Sequence, residues 1–236
     1  MRVVRTPSPP RPAPRGDEAR ERLLAAALEI FGNKNLEGAT TREIAEAAGQ
    51  NIASISYHFG GKEGLYHAVL KKSFERTQER IRDALEPLVN LHSAEDLSRT
   101  QALNLILGFV RALYLRVMSR DESLAMTRLI VREQMKPTPA FDLLYQNHLG
   151  VVHERLTWLV ARVTGSNPKD AATIIRAHSL LGQLYAFCVA RETARRRLRW
   201  TTLEGKNADA VIAVLEENIT RMLPPPRRAK PNRSRS

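Results

Sequence analysis

Helical periodicity extends through almost the whole chain and limits the folds open to it. Between residues 17 and 223, apolar residues recur three and four positions apart, strand-like alternation is nearly absent, and glycines and prolines fall at the breaks. A hydrophobic fraction of 43% over 236 residues is enough to bury a sizeable core. The sequence therefore predicts an all-α protein.

The pattern also predicts where the helices lie. We expect a first helix from an Asp17 N-cap to Gly32, then two very short helices, and then a long helix from Lys62 towards Leu88 in spite of Pro87. Further helices are predicted at residues 94–119, 122–135, 138–164, 168–191 and 207–223.

The net charge of +12 is concentrated at the two ends of the chain. Residues 1–15 contribute +4 and residues 224–236 contribute +5, both without an acidic residue, which leaves +3 for the rest. Both ends are rich in proline, so we expect a disordered arm over residues 1–16 and a disordered tail over 224–236. Such segments serve either as solvated ends or as non-specific attractors of phosphate.

A compact pattern between Ala39 and Phe59 predicts two short helices joined by a tight turn. Thr40 and Glu43 have the spacing of a capping box, which starts a helix by satisfying its free backbone N–H groups. Gly49 ends that helix, and a second short helix begins near Asn51. Helices this short need a third helix to hold them, which is the arrangement of a helix-turn-helix.

The second short helix has a polar but uncharged outer face. Ile55 and Phe59 can anchor it to the first helix of the chain, through Leu28 and Phe31. Small hydroxyl and amide side chains let a helix approach base edges in the major groove. The outer residues are Gln50, Asn51, Ser54, Ser56, Tyr57 and His58. An ordinary capped hairpin with a polar solvent face is the alternative for any single part of this pattern, whereas the whole favours DNA binding.

These residues resemble the TetR family of bacterial regulators over residues 17 to about 75. The resemblance is carried by Phe31-Gly32, Thr40, Ile44-Ala45, Ala48-Gly49, Tyr57-His58-Phe59 and Lys62-Glu63-Gly64-Leu65. It implies a DNA-binding domain at residues 17–77, with its helix-turn-helix at 40–59, and a larger helical domain for ligand binding and dimerisation at 78–223.

The resemblance also implies DNA contacts. Thr40, Thr41, Tyr57, His58 and Lys62 would hold phosphates, and Asn51, Ile52, Ala53, Ser54 and Ser56 would face bases, with Gln50 beside them. Ile52 is open to two interpretations, since it could be core or touch a thymine methyl group. Many relatives have tyrosine where this chain has Ser56, so a contact made there is absent or shortened.

Four segments, two in the DNA-binding domain and two beyond it, resemble the CecR-like subgroup of the family. They are Gly49–Ala53, Tyr57–Tyr66, Arg132–Ala140 and Leu198–Thr202. Because the C-terminal half of TetR proteins usually diverges too far to be matched, the two C-terminal segments carry the subgroup assignment.

The larger domain has apolar helix faces interrupted by polar groups that could converge on an effector pocket. The predicted pocket residues are Arg128, Arg132, Tyr145, His148, Trp158, His178, Gln183 and Tyr185. For each residue, an ordinary core or surface position is the alternative. We expect no metal and no cofactor, because His148 and His153 are five positions apart and point to different sides of a helix.

The last helix has an apolar stripe formed by Val211, Leu215, Ile219 and Met222. Packing within the chain is one explanation of this stripe. In TetR-like proteins the last two long helices pair across a two-fold axis, and on that analogy we expect a homodimer that binds a palindromic operator.

Together these features predict a DNA-binding transcription regulator, acting as a repressor that a small organic effector releases from its operator. An architectural DNA-binding protein without ligand control is the alternative, and a small helical enzyme is a more distant one. The sequence lacks a G-x-S-x-G elbow, and Gly61-Lys62-Glu63 lacks the flanking residues of a phosphate loop. With one cysteine and no long apolar segment, we expect a cytoplasmic protein without a membrane partner.

Overall fold

The computed structural model describes residues 15–119 and 124–225, and these residues form helices without any strand. The chain divides into two compact units, with the division between Val69 and Leu70. Residues 1–14 and 226–236, which hold most of the predicted arm and tail, lie outside the described residues.

The first unit contains α1 (Arg15–Gly38), α2 (Thr41–Ala47), α3 (Ala53–Phe59) and the first half of α4 (Lys62–Arg80). The predicted bounds of the first helix, Asp17 and Gly32, were wrong: α1 begins at Arg15 and continues through Gly32. Helical geometry fails instead at Asn35, where φ is 71°. Asparagine tolerates positive φ better than most residues, and its Oδ1 accepts a hydrogen bond from the N–H of Gly38 at 2.7 Å.

The helices of the first unit share one apolar core. Phe31 of α1 and Tyr66 of α4 meet edge to face, with 5.0 Å between ring centroids. Ile44 of α2 and Ile55 of α3 are buried at 0% and 1% exposure. Burying a side chain of this size contributes about 1.5–3 kcal/mol, which is how two helices of seven residues each are held in place.

The second unit begins with the rest of α4 and contains eight further helices within the described residues. They are α5 (Arg82–Val89), α6 (Arg99–Leu113), α7 (Leu124–Met135), α8 (Pro139–Leu144), α9 (Gly150–Thr164), α10 (Ala171–Val189), α11 (Arg191–Leu198) and α12 (Lys206–Met222). Two π-helical turns, Tyr114–Met118 and Tyr145–Leu149, extend α6 and join α8 to α9.

The predicted helix from Lys62 to Leu88 is interrupted at Ile81, whose φ of −112° and ψ of 16° separate α4 from α5. Similarly, the predicted helix 94–119 begins later, at a capping box formed by Ser98 and Gln101. The separate helix α11 was not predicted, because its arginine-rich sequence has no apolar stripe.

The core of the second unit is built from α5, α6, α9, α10 and α12. It includes the stripe that we expected to face a second subunit. Val211, Leu215 and Ile219 are only 5%, 3% and 0% exposed within the single chain, and Met222 packs against the same core. The proposed interface residues are therefore core residues, since an amphipathic stripe does not reveal whether its partner lies in the same chain.

Candidate DNA-binding site and ligand cavity

Thr40 caps the first helix of the helix-turn-helix. Its Oγ1 accepts a hydrogen bond from the backbone N–H of Glu43 at 3.2 Å. The second half of the predicted capping box is missing, because the Glu43 carboxylate lies 2.7 Å from the ammonium group of Lys34 instead. An ion pair with α1 thus replaces the bond back to Thr40, and it ties α2 to the helix that supports it.

The turn between α2 and α3 depends on Gly49 and Asn51. Gly49 has a φ of 62°, a conformation that glycine adopts without strain. Asn51 lies before α3 rather than within it, and its Oδ1 accepts a hydrogen bond from the N–H of Ala53 at 2.9 Å. Its amide nitrogen makes no hydrogen bond within the described residues, so Asn51 can donate N–H groups to an acceptor on a base.

Helix α3 buries one side and exposes the other. Ile55 is 1% exposed, whereas Tyr57 is 85% exposed and Ile52, just before the helix, is 49% exposed. The exposure of Ile52 excludes the core interpretation. The rings of Tyr57 and His58 meet edge to face at 4.9 Å between centroids, which groups the two aromatic side chains at one end of the helix.

The start of α4 is fixed against the helix-turn-helix by close backbone contacts. Gly60 and Gly61 make the connection with φ values of 74° and 128°. Lys62 Nζ donates a hydrogen bond to the carbonyl of Ala39 at 3.1 Å, which places this ammonium group beside the residues that open α2. Lys62 is consequently close to Thr40 and Thr41, which follow Ala39 in the chain.

This arrangement suits a major groove about 12 Å wide, which accepts one helix with small side chains on its outer face. Among the predicted DNA-contacting residues, Ile52, Ala53, Ser56 and Tyr57 are exposed with Thr40 and Asn51, and Thr41, Gln50, Ser54, His58 and Lys62 are half-buried. All of them therefore have surface to offer a partner.

A cavity of about 360 Å³ lies in the second unit. It is enclosed by α4, α5, α6, α7, α8, α9 and α10 together with the two π-helical turns, which contribute Val117, Tyr145 and Leu149. Its apolar surface comes mainly from Phe74, Ile81, Leu85, Phe109, Leu113, Met126, Ile130, Phe141, Val152 and Leu181. The size and apolar character are those of a small-molecule site.

Three of the predicted pocket residues, Tyr145, His178 and Tyr185, line this cavity. His148 lies just behind the lining: its ring stacks on Phe74 at 4.7 Å, and its Nδ1 is 3.1 Å from Nε2 of Gln78.

The other four predicted pocket residues, Arg128, Arg132, Trp158 and Gln183, do not line the cavity. Arg128 is exposed, and Trp158 lies under the guanidinium of Arg155 at 4.1 Å, beside a different groove. These four residues were predicted because polar groups orient ligands in pockets. Their positions on their helices, however, direct the side chains away from the cavity.

Sequence reasoning missed His153, which it considered only as a metal ligand. This residue lines the cavity, and its ring centroid is 5.6 Å from that of His178. Burial lowers the pKa of His153, and the neighbouring His178 lowers it further. Within the described residues, no group of His, Cys, Asp and Glu side chains is arranged to hold a metal ion.

Comparisons with known proteins agree with this geometry. Residues 23–69 match the family described as "Bacterial regulatory proteins, tetR family", and residues 102–224 match "HTH-type transcriptional dual regulator CecR, C-terminal domain". The chain is 34% identical to the HTH-type transcriptional dual regulator CecR of Shigella flexneri over 197 residues, which cover 84% of this chain and 87% of that protein. The chain belongs to the TetR family of transcription regulators. Within the family, its C-terminal domain is of the CecR type.

Other relatives of this TetR-family protein are named as regulators of transcription. The repressor AcnR of Corynebacterium efficiens is 26% identical over 144 residues, covering 61% of this chain and 65% of that protein.

Solved structures share the fold of this TetR-family protein. A regulator from Rhodococcus sp. RHA1 has a TM-score of 0.59 at 14% identity and covers 86% of this chain and 96% of its own. Salmonella enterica GusR has a TM-score of 0.56 at 18% identity, covering 89% and 98%. In the described part of this TetR-family chain, every helix is too short or too polar to cross a membrane.

Proposed function

We propose that this regulator is a ligand-responsive repressor, which binds a palindromic operator as a homodimer and leaves it when a small organic molecule fills the cavity. The proposal that the protein binds DNA rests on one observation: the outer face of α3 is exposed and uncharged. Ile55 anchors the other face of α3 in the core, and the Asn51 side chain bonds to the first residue of the helix. A reading helix needs such a face to approach base edges. Because its partner is the chromosome, we place the protein in the cytoplasm.

In this proposal, phosphates are held by Thr40, Thr41, Tyr57, His58 and Lys62. Lys62 donates one hydrogen bond to Ala39, and two further N–H groups on its ammonium remain for phosphate. The side chain of Tyr57 is 85% exposed, so its hydroxyl is accessible to a phosphate. Phosphate contacts fix the register of the helix without reading sequence.

Bases are read by the outer residues of α3 and its turn. The amide nitrogen of Asn51 donates to an acceptor, Ser54 and Ser56 offer hydroxyl groups, and Ile52 offers a methyl surface to thymine. Ala53 and Gln50 complete the surface. Each base contact of this kind contributes about 1–3 kcal/mol of discrimination.

Operators selected from random DNA with the full chain test these roles. Tyr57→Ala should weaken binding to all selected operators by a similar factor, and Tyr57→Phe separates the effect of the hydroxyl from that of the ring. Ser54→Ala should change base preference at one position in each half-site. The assignment fails if Tyr57→Ala and Ser54→Ala both bind the selected operators like the unchanged protein.

We propose that the dimer forms through the outer faces of α10 and α12 rather than through the buried stripe of α12. On α12, Val214 is 55% exposed; on α10, Ile175 is 63% exposed and Val189 is 64% exposed. Small residues on the same two helices, including Gly182, Ala186, Ala210 and Ala213, are exposed as well. Small and apolar side chains allow close packing of helices from two subunits.

Release from the operator follows from a population shift. A ligand can weaken DNA binding only by the ratio of its affinities for the two states of the protein, so an effective ligand must favour the state that binds DNA poorly. Helix α4 takes part in both activities, because it contains Lys62 and also the cavity residues Phe74 and Gln78. An architectural protein without ligand control would have no use for this cavity.

A further inference from the structure

The residues that the structure describes around the cavity are apolar or polar side chains without a permanent charge. Among the described residues that line it, none is Lys, Arg, Asp or Glu. The polar lining consists of Thr77, Gln78, Thr127, Gln134, Tyr145, His153, His178 and Tyr185. Asp, Glu, Lys and Arg make up 26% of the chain, so their absence from the described lining distinguishes the cavity from the rest of the protein.

Two ionisable groups in the lining, His153 and Tyr185, have pKa values shifted in the direction that favours their neutral forms. Burial lowers the pKa of His153, and the adjacent His178 ring opposes a second positive charge there. Burial raises the pKa of Tyr185, so its hydroxyl stays protonated and can donate a hydrogen bond. The described part of the lining therefore offers dipoles, but no Lys, Arg, Asp or Glu side chain to balance the charge of a ligand.

Several of these polar groups have no hydrogen bond to any residue that the structure describes. They are the hydroxyl of Tyr185, the rings of His153 and His178, and the amide of Gln134. Other polar groups in the lining are already committed: Thr77 contacts the Ser73 carbonyl and the Met126 sulfur, and Gln78 pairs with His148. Uncommitted donors and acceptors in an apolar cavity are the groups that orient a ligand.

We propose that the cavity selects uncharged, mainly apolar molecules with a hydrogen-bonding group, and excludes carboxylates, sulfonates and amines of the same shape. This inference rests on the proposed function, in that it defines the chemical class of the effector. A charged ligand loses its hydration on entry and finds no opposite charge, whereas a neutral ligand gains apolar contact and needs only the free hydrogen-bonding groups. Excluding charge is thus the main source of selectivity.

Two dyes with the same rings test the selectivity directly. N-phenyl-1-naphthylamine is neutral, and 8-anilinonaphthalene-1-sulfonate has the same anilinonaphthalene skeleton with a sulfonate added. In fluorescence titrations of the full chain, we expect the neutral dye to bind one site per subunit and the sulfonate to bind at least about tenfold more weakly. Equal or tighter binding of the sulfonate, or no saturable binding of the neutral dye, overturns the proposal.

A matched pair of variants on α7 locates the dye. Met126 lines the cavity and Met135, on the same helix, is 82% exposed outside it. Met126→Trp should abolish binding of the neutral dye by filling the cavity, and Met135→Trp should leave it unchanged. Equal effects of the two substitutions would place the dye elsewhere and overturn the proposal.

Gln134 provides a second test that does not depend on filling the core. This residue is exposed at the cavity, so a charge there keeps its hydration in the free protein. Gln134→Lys should strengthen binding of the sulfonate several-fold and Gln134→Glu should weaken it, while the neutral dye changes little. If both substitutions leave the sulfonate affinity unchanged, charge in the lining does not control selection.

Operator binding measured without dye separates the two levels of the proposal. If the dye tests fail but the protein still binds its operator, the proposed ligand class is wrong and the proposed DNA-binding function stands. If the full chain prefers the neutral dye but does not bind an operator, the proposed ligand class stands and the proposed function is wrong.

Discussion

Gly64 lies in the first turn of α4, where there is no room for a side chain. A Cβ built on it would be 1.8 Å from the carbonyl oxygen of Phe59, and this neighbour is backbone that cannot rotate away. Gly64→Ala should therefore destabilise the DNA-binding unit by about 1–3 kcal/mol, the usual cost of overpacking. We expect a lower calorimetric melting temperature and weaker operator binding.

Gly108 is a matched control for this substitution. It also lies inside a helix, α6, but a Cβ there meets nothing within 4 Å. Gly108→Ala should be neutral or stabilising by about 0.5–1 kcal/mol, because alanine is the better helix former. If both alanine variants melt alike, the close approach of Phe59 is not the reason for Gly64.

We expect His153 to make the stability of the protein depend on pH. Its pKa is lowered in the folded protein, first by burial and then by His178, so below about pH 6.5 the unfolded chain takes up a proton more readily than the folded one. The stabilisation is present above the ordinary histidine pKa and declines as the pH falls through the lowered pKa. His153→Gln should reduce the fall in melting temperature between pH 7 and pH 5.

The same two proteins measured between pH 8 and pH 9 provide the reference, since there His153 is uncharged in both the folded and the unfolded chain. A melting temperature that falls equally in the two proteins below pH 6.5 would show that His153 does not contribute to acid destabilisation. His148 is expected to add in the same direction, because burial lowers its pKa as well.

At the scale of helices, periodicity predicted the class of structure better than its boundaries. It identified α7, α10 and α12 closely, and it predicted one helix over 138–164 where α8, a π-helical turn and α9 follow one another. It could not show the break at Ile81, because α4 and α5 keep the same period on either side of it. It also could not tell which surface covers the stripe from Val211 to Met222, because a core neighbour and a second subunit demand the same apolar pattern.

The outer faces of α10 and α12 replace this stripe as the proposed dimer interface, and this leads to a prediction. Val214→Arg places a charge in the proposed interface, where it must be buried without a partner, and should shift the mass towards the monomer in light scattering at micromolar concentration. Leu143→Arg is the control, because Leu143 on α8 is also 55% exposed but lies outside the proposed interface. Dimers that survive Val214→Arg, or that dissociate equally with Leu143→Arg, exclude this face.

At the scale of the whole molecule, the DNA-binding unit was more predictable than the cavity. The unit depends on local signals within residues 40–65, such as the Thr40 cap and Gly49 turn, which a sequence displays directly. The cavity joins residues from Phe74 to Tyr185, and periodicity does not tell which polar groups on several packed helices turn inward. Tyr145, His178 and Tyr185 were predicted to be there, and His153 was not.

The distribution of charge in the whole chain leads to a last prediction. Residues 15–69 contain six Lys and Arg against eight Asp and Glu, so the DNA-binding unit has a net negative charge without the residues that precede it. Arg2, Arg5 and Arg11 come directly before this unit in the chain, in a segment outside the described residues. We therefore expect these arginines to bind phosphate or the adjacent minor groove, where arginine favours narrow A·T-rich tracts.

Deleting residues 2–14 should reduce the slope of log affinity against log salt by about 0.9 for each phosphate that the arm no longer neutralises, without changing the bases selected in the major groove. Arg2→Gln, Arg5→Gln and Arg11→Gln combined should have the same effect, which separates charge from chain length. Removing residues 226–236 is the control, because it takes away five positive charges at the other end of the chain and should leave the slope unchanged. If only this second truncation alters the slope, the C-terminal charges rather than the N-terminal arm neutralise the phosphates.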